Sequence, residues 1–181
     1  MISSAPSSRE SHLVEIVDPS GTPLGETTVA HAHTAPGVLH RAYSVVVMDR
    51  DGRAMWQRRA AAKTRFPQRW SNTCCGHPAP GQPVKEAAAV RLAEEMGLRD
   101  VPLTEVGSFV YQALDPETGR MEYEYDHVLV GRVDPDAQPA PDPAEADAWR
   151  WMAPPDVAAE LAEDPDSYTP WVREVVRLIA Q

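Results

Sequence analysis

Pro83-Val-Lys-Glu-Ala-Ala-Ala-Val-Arg-Leu-Ala-Glu-Glu-Met-Gly97 is the clearest regular element in the chain. Val84, Ala88, Leu92 and Met96 recur at helical spacing and share one face. Pro83 can open this helix, because the amide that proline lacks would have no partner in the first turn. Gly97 can close it by taking the left-handed conformation that helix ends favour. The segments on either side decide the fold. Upstream, residues 13–30 read as a strand, a turn at Asp18-Pro19-Ser20-Gly21, and a second strand or loop. Tyr43–Met48 is a β-branched run, Asp49-Arg50-Asp51-Gly52 a turn signal, and Ala54–Arg59 the returning strand. Arg65–Pro83 is rich in proline and glycine and is expected to be irregular loop. Downstream, 105–112 and 122–133 read as strands joined by a turn around Asp115-Pro116 and Gly119. Pro135–Pro143 reads as a Pro-rich surface loop, followed by a short strand at Trp149–Met152. Helices near Pro155–Glu163 and Pro170–Ala180 end the chain. Strands, one helix, strands, then helices predict an α+β fold with a mixed sheet flanked by helices.

A length of 181 residues suits a single domain with a substantial core, expected over 13–181. No apolar run approaches the ~20 residues of a membrane span. The polar, Ser-rich start, MISSAPSSRESH, has no apolar centre, so residues 1–12 are expected to be a loose, disordered tail and not a secretory signal. The only two cysteines, Cys74 and Cys75, are adjacent and cannot staple a fold. Free thiols imply a reducing, cytoplasmic setting. The net charge of −10 argues against nucleic-acid binding. No membrane partner is expected, and a monomer is.

The charge distribution says more than its sum. Gly52 to Val84 contains no Asp or Glu, yet it holds Arg53, Arg58, Arg59, Lys63, Arg65 and Arg69. A solvated basic face and a local site for a small polyanion are both open readings. Three histidines, His33, His40 and His77, fall in turn-rich segments near predicted strand ends. In Met121-Glu122-Tyr123-Glu124-Tyr125 a period of two sends Glu122 and Glu124 to one face. Two such carboxylates repel unless something positive lies between them. With spare imidazoles available, a bound cation accounts for them better than a solvent-facing polar edge does. An all-nitrogen-and-oxygen donor set suits Zn, Mn, Fe or Mg, and the absence of a CxxC pair disfavours a structural zinc ribbon. On the helix, Arg91 and Glu95 are four apart, which is a common ion-pair spacing; the alternative is that Glu95 holds Mg²⁺ and Arg91 meets an anion. Cys75, two residues before His77 in a Gly/Pro-rich loop, stands where a reactive thiol is expected.

In order along the chain come His33-Thr-Ala-Pro-Gly-Val-Leu-His40, Arg58-Arg59 with Lys63, Trp70-Ser-Asn-Thr-Cys-Cys75-Gly-His77-Pro78, Glu94-Glu95-Met96-Gly97, Glu122-Tyr123-Glu124 and Pro170-Trp171. This ordered set, spanning roughly residues 13–175, resembles the type I isopentenyl diphosphate isomerases of the Nudix superfamily. The resemblance implies a Nudix-like α/β/α sandwich that isomerises isopentenyl diphosphate to dimethylallyl diphosphate. It implies that His33, His40, His77, Glu122 and Glu124 ligate one divalent ion (Zn²⁺, Mn²⁺ or Mg²⁺), and that Glu95 holds a Mg²⁺ touching the substrate diphosphate. Arg59, Lys63 and Arg91 look like diphosphate contacts. Cys75 and Glu124 would be the acid and base, Tyr111 would assist Glu124, and Trp171 would face the hydrocarbon end.

Two departures stand out. Val90-Arg91 replaces the Arg-Glu pair typical of Nudix hydrolases, which speaks against hydrolysis. Val29 stands where many such isomerases carry a lysine, with His31 nearby, so one diphosphate contact is missing or supplied otherwise. The alternatives are a Nudix-type hydrolase of a diphosphate, a noncatalytic metal- or isoprenoid-binding module, and a paralogue acting on another prenyl diphosphate.

Overall fold

The strand expected at Tyr43–Met48 begins earlier, at His40, and all of its nine residues except Arg41 are buried. Alternate side chains leave a strand on opposite faces, so burial along its whole length requires cover on both sides. The cover is helical. Tyr43, Val45 and Val47 pack with Ala88, Leu92 and Met96, while Val46 and Met48 pack with Val157, Leu161, Trp171, Val172 and Val175. The expected α/β/α layering is therefore present.

The computed structural model describes residues 8–181. The elements are β1 (Leu13–Val17), β2 (Pro23–Thr28), α1 (Val29–Ala32), β3 (His40–Met48), β4 (Ala54–Arg59), β5 (Trp70–Ser71), β6 (Cys74–Gly76), α2 (Val84–Met96), β7 (Leu103–Leu114), β8 (Met121–Arg132), β9 (Ala146–Met152), α3 (Pro154–Glu163) and α4 (Val172–Ile179). The sheet is mixed: β3 and β8 run parallel, while β7 joins β8, and β9 joins β4, antiparallel.

Two expectations need correction. Arg65–Pro83 is not wholly irregular, because β6 pairs with β3 and β5 with β4. Adjacent Cys74 and Cys75 consequently point to opposite faces: Cys74 packs with α2 and Cys75 against the α3/α4 core. The loose tail expected over residues 1–12 lies partly outside the described residues. Within them, Ser8–Ser11 form a 3-10 turn, and Glu10 is buried against Arg65 and Arg120 at 3.0 and 3.3 Å. Buried ion pairs of this kind hold a polar terminus down where composition alone suggests freedom.

The Pro-rich segment after β8 has a specific job. The amides of Ala140 and Asp142 donate to the carbonyls of Met96 and Glu95, capping the end of α2. Gly97 closes that helix at φ 68°, and a Cβ there would meet the Ala140 carbonyl oxygen at 3.0 Å. The same segment then carries Glu145 into the site described next.

Candidate active site

Strand register gathers the candidate residues at one end of the sheet. Parallel pairing sets His40 of β3 beside Glu124 of β8, and antiparallel pairing sets Tyr111 of β7 on the other side of Glu124. The β3–β6 ladder pairs Ser44 with Cys75 and Tyr43 with Gly76, so His77 emerges toward His40. His33 caps the short α1 and completes the group. The three imidazole centroids lie 4.7, 5.1 and 4.9 Å apart.

One donor atom each from His33, His40, His77 and Glu124 lies within 4.8 Å of the others. The Nδ1 groups of His33 and His40 donate to the carbonyls of Val29 and Val38 at 2.8 and 2.7 Å. That arrangement fixes the Nδ1–H of both rings and turns both Nε2 atoms inward, as metal-ligating histidines require. His40 Nε2 is buried with no hydrogen-bond partner, and a nitrogen so placed normally needs one. The residues present therefore fit a divalent cation. Glu122, expected as a fifth ligand, stands one step outside the four convergent donors. Its Oε2 is 3.0 Å from His33 Nε2, and Arg65 holds its other oxygen at 3.3 Å.

Cys75, His77, Tyr111, Glu122, Glu124 and Trp171 line one cavity with Arg9, Arg59, Lys63, Arg65 and Arg91. Tyr111 donates to Glu124 Oε2 at 2.7 Å, and His77 Nε2 lies 2.8 Å from Oε1. Arg91 pairs with Glu95 at 2.5 Å and with Glu145 at 2.8 Å; Lys63 pairs with Glu145 as well. Arg59 donates to the carbonyls of Arg65 and Phe66, and its guanidinium carbon sits 5.6 Å from the Trp171 ring. The β4–β9 register shifts between Arg58 and Arg59, the kind of bulge that re-aims a side chain.

The acid-free window therefore divides. Arg59, Lys63 and Arg65 reach the cavity, while Arg53 and Arg58 pair with Asp49 and Asp147 elsewhere. Glu95 does not gather a donor set. Its oxygens meet Arg91 and Gln57, with Lys63 3.7 Å away, so the chain alone does not form the expected Mg²⁺ position.

Comparison with known proteins gives the family. Residues 38–172 match the NUDIX domain. The isopentenyl-diphosphate Delta-isomerase of Nocardia farcinica is 55% identical over 165 residues, covering 91% of this chain and 93% of that protein. The isopentenyl-diphosphate Delta-isomerase of Halorhodospira halophila is 48% identical over 164 residues, again covering 91% and 93%. The chain belongs to the isopentenyl-diphosphate Delta-isomerases of the NUDIX family. Among solved structures, DR0079 from Deinococcus radiodurans superposes with a TM-score of 0.76 at 19% identity, covering 94% of this chain and 100% of that one. That likeness bears on the fold alone.

Within this isomerase-family site the ionisation states diverge. Burial pushes the Cys75 thiol up to about 12, with Asp126 adding to it, so the sulfur keeps its proton. A protonated thiol is a donor, unlike the thiolate of a nucleophilic cysteine. Burial also works to raise Glu124, but the surrounding histidines hold it well below the usual carboxylate range. Burial lowers His77 to about 3, whereas the Glu122 charge overcomes burial at His33 and raises it to about 9. Acid and base candidates with separated ionisation are characteristic of proton-transfer sites.

Four contributors were not singled out from sequence. Asp126 continues the Glu122–Glu124 alternation on β8 and accepts from Ser44 at 2.7 Å; period two was the signal for it. Arg65 lay in the basic window without a role. Asn72 lay unmarked inside the Trp70–Pro78 motif, and Glu145 carried no sequence signal, since only tertiary contacts bring it to Lys63 and Arg91.

Proposed function

We propose that this protein interconverts isopentenyl diphosphate and dimethylallyl diphosphate, moving the double bond by protonation at one carbon and deprotonation at another. The carrying observation is that the Cys75 thiol and the Glu124 carboxylate line one cavity whose cationic side includes Arg59, Lys63 and Arg91, with burial favouring the protonated thiol and the histidines favouring the ionised carboxylate.

The Cys75 S–H donates its proton to the terminal alkene carbon, which leaves a tertiary carbocation at the neighbouring carbon. Glu124 removes a proton from the next carbon on the diphosphate side, and the electron pair of that C–H bond becomes the new double bond. The carbon–oxygen bond to the diphosphate stays intact. Return of the proton from Glu124 to the sulfur resets the site. An alkene is a weak base, so the thiol must be held against it away from water. Tyr111, donating to Glu124 Oε2, orients the base. The Trp171 ring offers the cation a π face, worth ~2 kcal/mol or more when desolvated.

A divalent ion bound by His33, His40, His77 and Glu124, with Glu122 behind His33, would supply a fixed positive charge that favours the ionised form of Glu124. Lys63, Arg59 and Arg91 anchor the diphosphate, so binding far from the reacting carbons orients them. Glu95 would contribute to a Mg²⁺ ion only together with substrate oxygens.

The hydrolase reading is weaker, because Arg91 is buried between Glu95 and Glu145 at a position where hydrolytic relatives would need a carboxylate. The test is NMR of isopentenyl diphosphate with the metal-loaded protein in D₂O. Deuterated dimethylallyl diphosphate from wild type and none from Cys75→Ala or Glu124→Gln is the expected result. Release of orthophosphate or a monophosphate would replace this reading with hydrolysis, and an unchanged substrate would sink it.

A further inference from the structure

Asn72 is fully buried and lies outside the acid–base pair and the cation cluster. Its Nδ2 donates to the backbone carbonyls of Val45 and Cys74 at 3.1 and 2.8 Å. Those two acceptors fix the orientation of the amide, because the flipped rotamer would set a carbonyl oxygen against two others. The opposite atom, Oδ1, then receives three donors: Trp171 Nε1 at 2.9 Å, Ser71 Oγ at 3.1 Å and Cys75 Sγ at 3.3 Å. One oxygen, itself held by the backbone of β3 and β6, therefore ties the thiol to the indole. The segment carrying Trp171 is almost 100 residues further along the chain (|i−j| = 99), and the neighbouring Ser71–Thr169 contact at 3.1 Å docks that same segment.

We propose that Asn72 is a positioning residue whose single carboxamide oxygen sets the aim of both the Cys75 thiol and the Trp171 ring. This rests on the isomerase reading. The thiol must point its hydrogen at one carbon while the indole faces the cation that forms at the adjacent carbon. Two groups on separate segments keep that register only if something common holds them. Backbone pairing fixes the Cys75 main chain but not the rotation of its side chain. Ser44, the other polar neighbour of the sulfur, is 3.6 Å away and already donates to Asp126, so it has no hydrogen left for the sulfur, whose own single hydrogen is engaged by Asn72 Oδ1. The S–H is a weak donor, so its bond to the amide oxygen sets the Sγ rotamer in the resting site and costs little to break when the hydrogen turns to the substrate.

The experiment compares wild type, Asn72→Ala and Asn72→Asp for turnover of isopentenyl diphosphate and for the ¹⁵N–¹H signals of the five tryptophan indoles, with Trp171 assigned through Trp171→Phe. For Asn72→Ala the expected result is a kcat loss of about 10²-fold with KM moved less than about threefold, the signature of misaimed groups and intact diphosphate anchoring. The Trp171 indole signal moves upfield and exchanges faster in D₂O, while the other four stay. Asn72→Asp, held neutral at this buried position, keeps an acceptor oxygen at the junction and an O–H toward the Val45 and Cys74 carbonyls, so its Trp171 signal stays near wild type and its kcat lies between wild type and Asn72→Ala. A folded Asn72→Ala with wild-type kcat, a KM that rises in proportion to the kcat loss, or an unmoved Trp171 signal would overturn the proposal. Should Asn72→Ala not fold, Asn72→Asp decides: a Trp171 signal displaced as if unbonded overturns it. Wild-type turnover tests the isomerase reading separately, and the indole signals report the Asn72 junction whatever the substrate proves to be.

Discussion

His40 Nε2 allows a sharp test of the cation cluster. The imidazole is fully buried, its Nδ1 donates to Val38, and Nε2 has no partner. An unpartnered buried nitrogen costs about 1–3 kcal/mol, and one ordinary hydrogen bond contributes about 1 kcal/mol. His40→Leu removes both, so with chelator present the variant should be as stable as wild type or up to about 2 kcal/mol more stable. Added divalent ion changes the comparison. At 100 times its dissociation constant an ion bound only by the folded state adds about 2.7 kcal/mol. For a chain of this size each kcal/mol moves Tm by about 2–4 °C, so wild type should rise by about 5–11 °C. His40→Leu loses one of four donors and should rise far less. The assay is thermal unfolding by circular dichroism of EDTA-stripped protein, titrated separately with Zn²⁺, Mn²⁺ and Mg²⁺. A wild-type Tm that none of the three moves, or an equal rise in His40→Leu, refutes the assignment of these side chains to a cation.

Three further outcomes follow from the geometry. Tyr111→Phe deletes the donor to Glu124 Oε2, a bond to a charged group, and should lower kcat about 10–100-fold while metal-dependent stabilisation persists; steady-state kinetics with parallel melting curves checks both. Gly97→Ala adds a Cβ at φ 68° only 3.0 Å from the Ala140 carbonyl, costing about 1–2 kcal/mol for the left-handed backbone alone and lowering Tm by roughly 2–8 °C. A Gly97→Ala Tm equal to wild type would show that the segment from Ala140 to Glu145 is not docked as described. Glu145 gives the pH prediction. Burial works to raise this carboxyl, but Lys63 and Arg91 bring it down to about 2 from the ordinary 4.5. Its folded value is depressed, so its stabilisation is complete above 4.5 and is lost as pH falls from there through 2. Denaturant midpoints of Glu145→Gln should therefore fall less steeply than wild type across that window.

Local physics in the sequence already determined much of this molecule. Pro83, the 84/88/92/96 spacing and Gly97 bound α2 correctly because helix ends and helix faces are set by neighbours within a few residues. Period two identified Glu122 and Glu124 as sharing a face, and Asp126 extends the same rule. The family-bearing motifs named the side chains that meet at the cavity. What only the tertiary structure decided is which of them meet which. Glu122 and Glu124 are equivalent by alternation, yet Arg65 draws Glu122 aside while Glu124 sits among the imidazoles. Arg58 and Arg59 are adjacent, yet Arg58 pairs on the surface with Asp147 and Arg59 lines the cavity. Cys74 and Cys75 divide between two cores because β6 pairs with β3, a contact across some 30 residues (|i−j| = 31 for Ser44–Cys75) that Pro/Gly-rich composition concealed. Glu145 reaches Lys63 and Arg91, and Trp171 reaches Asn72, only through contacts between segments far apart in the chain. Periodicity reports which way a side chain points from its own strand or helix; its partner depends on pairings made across long stretches of chain, which no local pattern records.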